Sequence, residues 1–547
     1  MSVNNEAAPA ADPTAGGVRS PGYAGTLAAA FIAVFVSQIT SAMPASLNGV
    51  LQQYMHTQGT QLTWITSAFM VTVVVFEFTF GVIGDLFGRK RLVAIGAVLA
   101  LIGEVIFAVA PNVQVVWVGA AVGGLGAGAM FPGSLAMVAT SSHTPQARAR
   151  YIALWSGFLA AGAAVSPLIG GAIADQGAAT WRIALWVVAA LAAVTLIVTL
   201  LFAKESAAPE GRGLDIPGQI TFAVGMFALM YAAVQGPSDG WAHANVLAGF
   251  IAGAVILAVF VFIETKAKSP ILNLQLFKNR AFSITNLVAV ISMFEMLGCC
   301  YSNSIWLGPV QHQSALRVGI IFLALQGPPF VLIPVMGWLL RRVAPQWLLT
   351  AGILITTAGA LLAATTLNVT DTGLAAFVLP DLLVGIGFGF SVNSFTAVAL
   401  NTVPLHLAGM ASATTNMFRD LGFALGPIIV GAVALSQAGS KFMAALPASG
   451  LPAAQLGPAM GIGKAAGPIA INSLPPGAPG SAAHLIAEQA LGSGFHVALW
   501  VCGIAGLVAA VITVVGMIGV QAQAPTAESL VDPLHEAAAE DGAAVTA

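Results

Sequence analysis

Five carboxylates fall inside runs of apolar sequence, where an ionisable group is costly and marks a functional position. They are Glu77, Glu104, Glu295, Asp381 and Asp420. Phe76 and Phe78 flank Glu77, Phe80 follows, and Phe294 precedes Glu295. Such neighbours exclude water, and a carboxyl so placed could load and release a proton during a cycle. Glu104 reads equally well as a satisfied acid facing protein. Arg419 and Asp420 are adjacent, with Thr415 and Asn416 one turn earlier, which gives a polar stripe. Consecutive side chains on a helix diverge by about 100°, so Arg419 and Asp420 need not pair with each other. An arginine does not deprotonate, so Arg419, with Asn416, reads as the anchor of a fixed polar network. Glu77, Glu295, Asp420 and Glu104 remain as proton-carrying candidates, Glu77 foremost.

The elements that hold these residues follow from composition. Of 547 residues only 7% are charged and 58% are hydrophobic. So few charges cannot cover a soluble domain of this size, and the hydrophobicity excludes disorder. A net charge of −2 gives no basic face for nucleic acid. Three cysteines form no metal or disulfide pattern. Fourteen runs are long and apolar enough to cross a bilayer. They lie at 24–50, 62–84, 92–110, 114–140, 151–173, 182–203, 214–234, 244–263, 282–305, 316–340, 347–366, 374–400, 409–436 and 494–519. The fold class is therefore an all-α integral membrane protein in the lipid bilayer.

Charge placement orients the spans. With the N-terminus inside, the inner segments hold 14 of the 19 Lys and Arg, among them Arg19, the 89–91 trio, Arg212, Lys268, Arg341 and Arg342. Only Arg182, Lys441 and Lys464 fall outside, as the positive-inside rule requires. Both termini are thus expected in the cytoplasm. Trp64, Trp117, Trp181, Trp241 and Trp306 are expected at the outer interface, and Trp155, Trp338 and Trp347 at the inner one. Segment 437–493 is rich in Gly, Pro and Ala and reads as an outer-face insertion, with 483–490 as an interfacial helix before the last span. The tail from Gln521 is acidic and reads as solvated chain.

The loop after the second span reads Gly81-Val82-Ile83-Gly84-Asp85-Leu86-Phe87-Gly88-Arg89-Lys90-Arg91. Gly81 and Gly84 permit close helix approach, and Gly88 permits a tight turn. Asp85 can accept from a helix N-terminus or an arginine, and Arg89, Lys90 and Arg91 pin the loop to the inner face. The run resembles the loop signature of the major facilitator superfamily, although Leu86 stands where the family usually has arginine. A half-copy, Gly337-Trp338-Leu339-Leu340-Arg341-Arg342, follows the tenth span and implies an internal repeat. Leu214-Asp215-Ile216-Pro217-Gly218 and the stretch from Pro270 to Arg280 resemble the fourteen-helix drug:proton antiporter branch. In span five, Gly162, Ser166 and Gly170 are four residues apart, beside Pro167 and Gly171. They make a flat stripe for helix contact and resemble the antiporter motif of exporters, with Ser166 replacing a glycine.

The resemblance implies two six-helix pseudo-repeats plus an inserted helix pair. The expected divisions are an inner tail 1–23, a bundle 24–203, the pair with linkers 204–281, a bundle 282–520 carrying the outer loop, and a tail 521–547. It implies a monomeric proton-driven exporter of hydrophobic or cationic drug-like compounds in a bacterial plasma membrane, conferring antibiotic resistance, with no cofactor and no catalytic residue. Two departures touch coupling: the span-one Asp of the branch falls at Phe35, before Ala42-Met43-Pro44, and the span-four Arg falls at Ala120. Either Glu77 and its neighbours replace them, or coupling differs. Dedicated export of one endogenous metabolite or lipid is the alternative, and a non-transporting receptor or scaffold is a third reading. No ATP-driven motor is visible, since Gly463-Lys464 lacks the flanking residues of a phosphate loop.

Overall fold

The computed structural model describes residues 21–57, 60–142, 145–177, 179–207, 213, 215–267, 270, 272, 274–340, 342–401 and 408–517. Most of the expected inner tail 1–23, the acidic tail 521–547, and Arg19, Arg212, Lys268 and Arg341 lie outside them. The described residues form fifteen α-helices: α1 Pro21–Met55, α2 Gln61–Phe87, α3 Arg89–Val109, α4 Val113–Thr140, α5 Pro145–Ala174, α6 Trp181–Phe202, α7 Ile216–Asp239, α8 Ala244–Glu264, α9 Arg280–Ile305, α10 Ala315–Leu339, α11 Pro345–Thr366, α12 Ala375–Asn401, α13 Ala408–Ala445, α14 Ala453–Asn472 and α15 His484–Gly516. Thirteen are long and apolar enough to cross a membrane, and α2, bent by 49° between Glu77 and Thr79, makes the fourteenth. The exception is α14.

Two groups of helices pack side by side. In the first, α3 lies on α4 and α6, α1 on α5, α4 and α6, and α2 on α4; in the second, α11 lies on α12 and α15, α9 on α13 and α15, and α10 on α12. The groups meet where α5 touches α10, α2 touches α13, and α1 touches a turn of π-helix, Trp306–Val310, that ends α9. The pair α7–α8 leans on α2 and α13, beside one of these seams.

Close van der Waals packing holds the helices together in lipid, and small residues set how close the axes come. The α5 stripe behaves as its spacing predicts. Gly162 faces the Phe35 carbonyl and Gln38, Ser166 Oγ donates to the Ile39 carbonyl at 2.8 Å, and Gly170 faces Met43 and Ser46. Gly171 turns instead to the backbone of Ala315 and Leu316, so the motif serves contact with α1 and with α10.

Segment 437–493 is more ordered than its composition suggests. It continues α13 to Ala445, forms α14, and begins α15 at His484, ten residues before the span expected from Gly494. The stretch 483–490 is accordingly the start of α15 rather than a separate interfacial helix. Phe442, Leu446, Ala459, Ile471, Ala483 and Ala487 give this cap its own apolar core. The tryptophans also divide differently from a simple belt. Trp241, Trp338 and Trp347 are exposed, whereas Trp155, Trp181 and Trp306 are buried between helices. Trp155 Nε1 donates to Ser134 Oγ at 3.0 Å, which satisfies its polar end inside the bundle.

Candidate functional site

The bent helix α2 brings Glu77 to α13. Its carboxyl stands against Asp420 and within electrostatic reach of Arg419. Arg419 and Asp420 do pair with each other: Arg419 Nε donates to Asp420 Oδ1 at 3.2 Å. Adjacent helical positions diverge at Cβ, but the long arginine stem closes the gap. The guanidinium also lies over the Phe131 ring of α4, 5.1 Å from its centroid. One cation therefore serves two carboxyls and an aromatic face, with partners from both helix groups. With both acids ionised the trio carries a formal charge of −1, and one proton brings it to zero. Asn416 lies one turn earlier on α13 and is only partly buried, while Thr415 bonds back to the Ala411 carbonyl at 2.9 Å.

The other acids sit elsewhere. Glu104, on α3, faces Thr40 of α1 within the first group. Glu295, on α9 and wholly buried, faces Thr357 of α11 and Cys502 of α15 within the second. Neither reaches across the seam. Asp381 accepts from Asn303 Nδ2 at 2.7 Å, also inside the second group. Arg317 is exposed and binds Gln313.

The loop motif is braced locally. Asp85 Oδ1 accepts from Arg89 Nη2 at 2.8 Å, one of its two expected donors. Gly88 has φ +112°, a left-handed region that favours glycine. The chain after α6 completes the brace: Arg89 N–H donates to the Ser206 carbonyl at 2.9 Å and Lys90 N–H to Glu205 Oε1 at 3.0 Å. Arg91 lies 3.6 Å from Glu205, an exposed pair of little energetic weight. Gly84 packs on Leu92 as expected, but Gly81 has open space beside it rather than a neighbouring helix.

At the opposite end, polar bonds close the seam. Asn48 Nδ2 donates to Ser304 Oγ at 2.8 Å, and the Thr63 and Tyr301 hydroxyls share a bond of 2.6 Å. Asp175, after α5, accepts from the Ala315 and Leu316 N–H groups at the start of α10, at 2.8 and 3.2 Å. Asn472 of α14 donates to the Pro309 and Val310 carbonyls at 3.0 and 2.9 Å, and its neighbour Ser473 bonds Gln52 of α1. The cap thus ties both helix groups together at this end.

Residues 30–427 match the Major Facilitator Superfamily. The chain belongs to this family. It is similar to the multidrug resistance protein Stp of Mycobacterium tuberculosis (strain CDC 1551 / Oshkosh), 28% identical over 373 residues, which is 68% of each chain. It is also similar to the tetracenomycin C resistance and export protein of Streptomyces glaucescens, 28% identical over 498 residues, 89% of this chain and 90% of that one. Among solved structures it resembles a bacterial homologue of the human lysosomal transporter Spinster in an inward-facing, occupied conformation. There the TM-score is 0.63 at 13% identity, covering 91% of this chain and 97% of that one.

In this facilitator, sequence spacing located the acids but not their partners. The Glu77–Asp420 contact joins residues more than 300 positions apart, and no local pattern encodes it. Glu205 and Ser206 were missed because they follow a span in an ordinary polar linker. Asn472 was missed because α14 was read as loop. Gln219 carried a signal, a long polar side chain inside an apolar run.

Proposed function

We propose that this multi-pass facilitator exports small hydrophobic or cationic drug-like compounds in exchange for protons, by alternating access between its two helix groups. The observation that carries the reading is the Glu77–Asp420 carboxyl pair with Arg419, buried across the seam between α2 and α13. Loading one proton neutralises the trio and favours the closed seam. Releasing it leaves two carboxylates face to face beside one guanidinium, which favours separation. The resistance and export functions in the relatives' names support the substrate class. For an uncharged substrate, one proton moving down 100 mV supplies about 2.3 kcal/mol, enough for roughly a fiftyfold gradient per proton.

In this reading Asp85 and the basic trio face the cytoplasm, the α14 cap faces outside, and both termini are cytoplasmic in a bacterial plasma membrane. The functional units are the bundles 24–203 and 282–520 with the inserted pair 204–281 between them, acting as a monomer. Glu104 and Glu295 are auxiliary acids, one in each bundle. Two measurements test the proposal together. Expression in a strain lacking its own pumps should raise tolerance to several unrelated hydrophobic compounds. In proteoliposomes, the same compounds should each elicit proton movement opposite to their own. Tolerance to one compound class only would favour dedicated export, and absence of any flux would favour a non-transporting role.

A further inference from the structure

No proline stands in α2, and its two glycines, Gly81 and Gly84, follow the bend rather than occupy it. From Gln61 to Phe80 the helix contains neither proline nor glycine, yet it turns by 49° between Glu77 and Thr79. Sharp kinks arise at proline, at glycine or serine pairs, at π-bulges, or where a side chain enters the hydrogen-bond ladder. A side chain enters here. Gln219 Nε2, from α7, donates to the Val75 carbonyl at 2.5 Å. In a straight helix that oxygen is the acceptor for the N–H of Thr79, four residues on. The invading amide shares this acceptor, in the turn that contains Glu77.

The sequence fixes Gln219 at that height. Asp215 caps α7, its carboxylate accepting from Gly218 N–H at 2.9 Å and its carbonyl from Gln219 N–H at 2.9 Å. One turn along from the amide the α2–α7 contact is largely apolar: Val71, Thr72, Val75 and Phe76 face Ala223, Val224 and Phe227 around a cleft of about 250 Å³. A partly buried amide within a membrane span must find a partner, and the backbone of α2 supplies it.

We propose that Gln219 of the inserted helix pair is a positioning residue, which bends α2 and so aims Glu77 at Asp420 and Arg419. The pair α7–α8 lies beside the α2–α13 seam and reaches the turn of Glu77 through this polar contact. It gives the inserted helices a part in coupling without touching proton or substrate. The inference rests on the coupling role of Glu77.

The test measures the pH dependence of substrate binding to the purified full chain, with uptake driven by a pH gradient as a second readout. Gln219→Leu removes the donor and keeps the bulk. It should remain folded in the membrane, shift the pH midpoint of binding by about one unit, a tenfold change in proton affinity, and lower driven uptake about tenfold. Gln219→His keeps a donor of similar reach and should stay near wild type. In a Glu77→Gln background, Gln219→Leu should add nothing. If Gln219→Leu does not fold, Gln219→Met replaces it, because methionine adapts to apolar contacts. Glu77→Gln with normal pH dependence would overturn the coupling role and this inference with it. Loss of pH dependence in Glu77→Gln beside a wild-type profile in Gln219→Leu would overturn the inference alone.

Discussion

Replacing Arg419 by methionine isolates what the cation contributes at the seam. Its Nε lies 3.2 Å from Asp420 Oδ1, with the two side chains only 14% and 8% exposed, and Glu77 leans on the same guanidinium. Methionine preserves the apolar stem and leaves two acids without a counter-ion. Removing one partner of a buried pair costs about 3–5 kcal/mol, and the lost stack on Phe131 about 0.5–2 kcal/mol. Protonation of a carboxyl offsets part of this, so the expected net loss is about 2–4 kcal/mol. Asp420→Asn in the same chain removes one of the two uncompensated charges and should recover at least about 1 kcal/mol. The assay is a double-mutant cycle of Arg419→Met and Asp420→Asn, read as thermal unfolding in detergent at fixed pH. Strict additivity, or an Arg419→Met protein as stable as wild type, would refute the shared-cation account.

Asp85→Asn weakens a mostly local pair with Arg89, so stability should change by less than about 1 kcal/mol. Transport should nevertheless fall if the loop holds one access state. A normal transport rate in vesicles with equal protein content would reduce the loop to a topological anchor. Sidedness is tested by Ala465→Cys on α14, which should react with an impermeant thiol reagent added outside intact cells; reaction only from the inside would invert the topology. Partial burial, outweighing its bond to the Asn472 carbonyl, holds the half-exposed His312 below its usual value, beside His484 and Glu488. The folded protein therefore binds fewer protons there than the unfolded chain. That stability is present above about pH 6.5 and is lost as pH falls from there through the lowered value. His312→Gln should flatten this part of the stability profile, and an unchanged slope would remove His312 as its source.

Much of the architecture was legible because the bilayer imposes a length. A run of about 20 apolar residues has one economical fate, so the fourteen spans and their order emerge from hydropathy alone. The α5 stripe was legible for a related reason: small residues four apart can only make a flat face, and it meets α1. What the sequence withheld is register between distant helices. Glu77 and Glu295 look alike in their own runs, each beside phenylalanine, yet one meets the opposite bundle and the other turns into its own. The cap was hidden differently. Gly and Pro lower helix propensity in 437–493 and large apolar residues are sparse there, while its stability comes from tertiary contacts around Phe442. Gly81 shows the converse: no residue among those described packs on it, although its spacing suggests helix contact.

The central claim is that Glu77 carries the coupling proton. Glu77→Gln keeps shape and hydrogen bonding but cannot titrate. The decisive measurement is substrate transport by this variant in proteoliposomes, with and without an imposed pH gradient, alongside Glu295→Gln and Asp420→Asn. The account predicts that Glu77→Gln still binds substrate and exchanges it down its own gradient. Uphill transport driven by pH should collapse, and binding should lose most of its pH dependence. Normal pumping by Glu77→Gln, with failure of Glu295→Gln or Asp420→Asn instead, would contradict the account and move the coupling site into the second bundle.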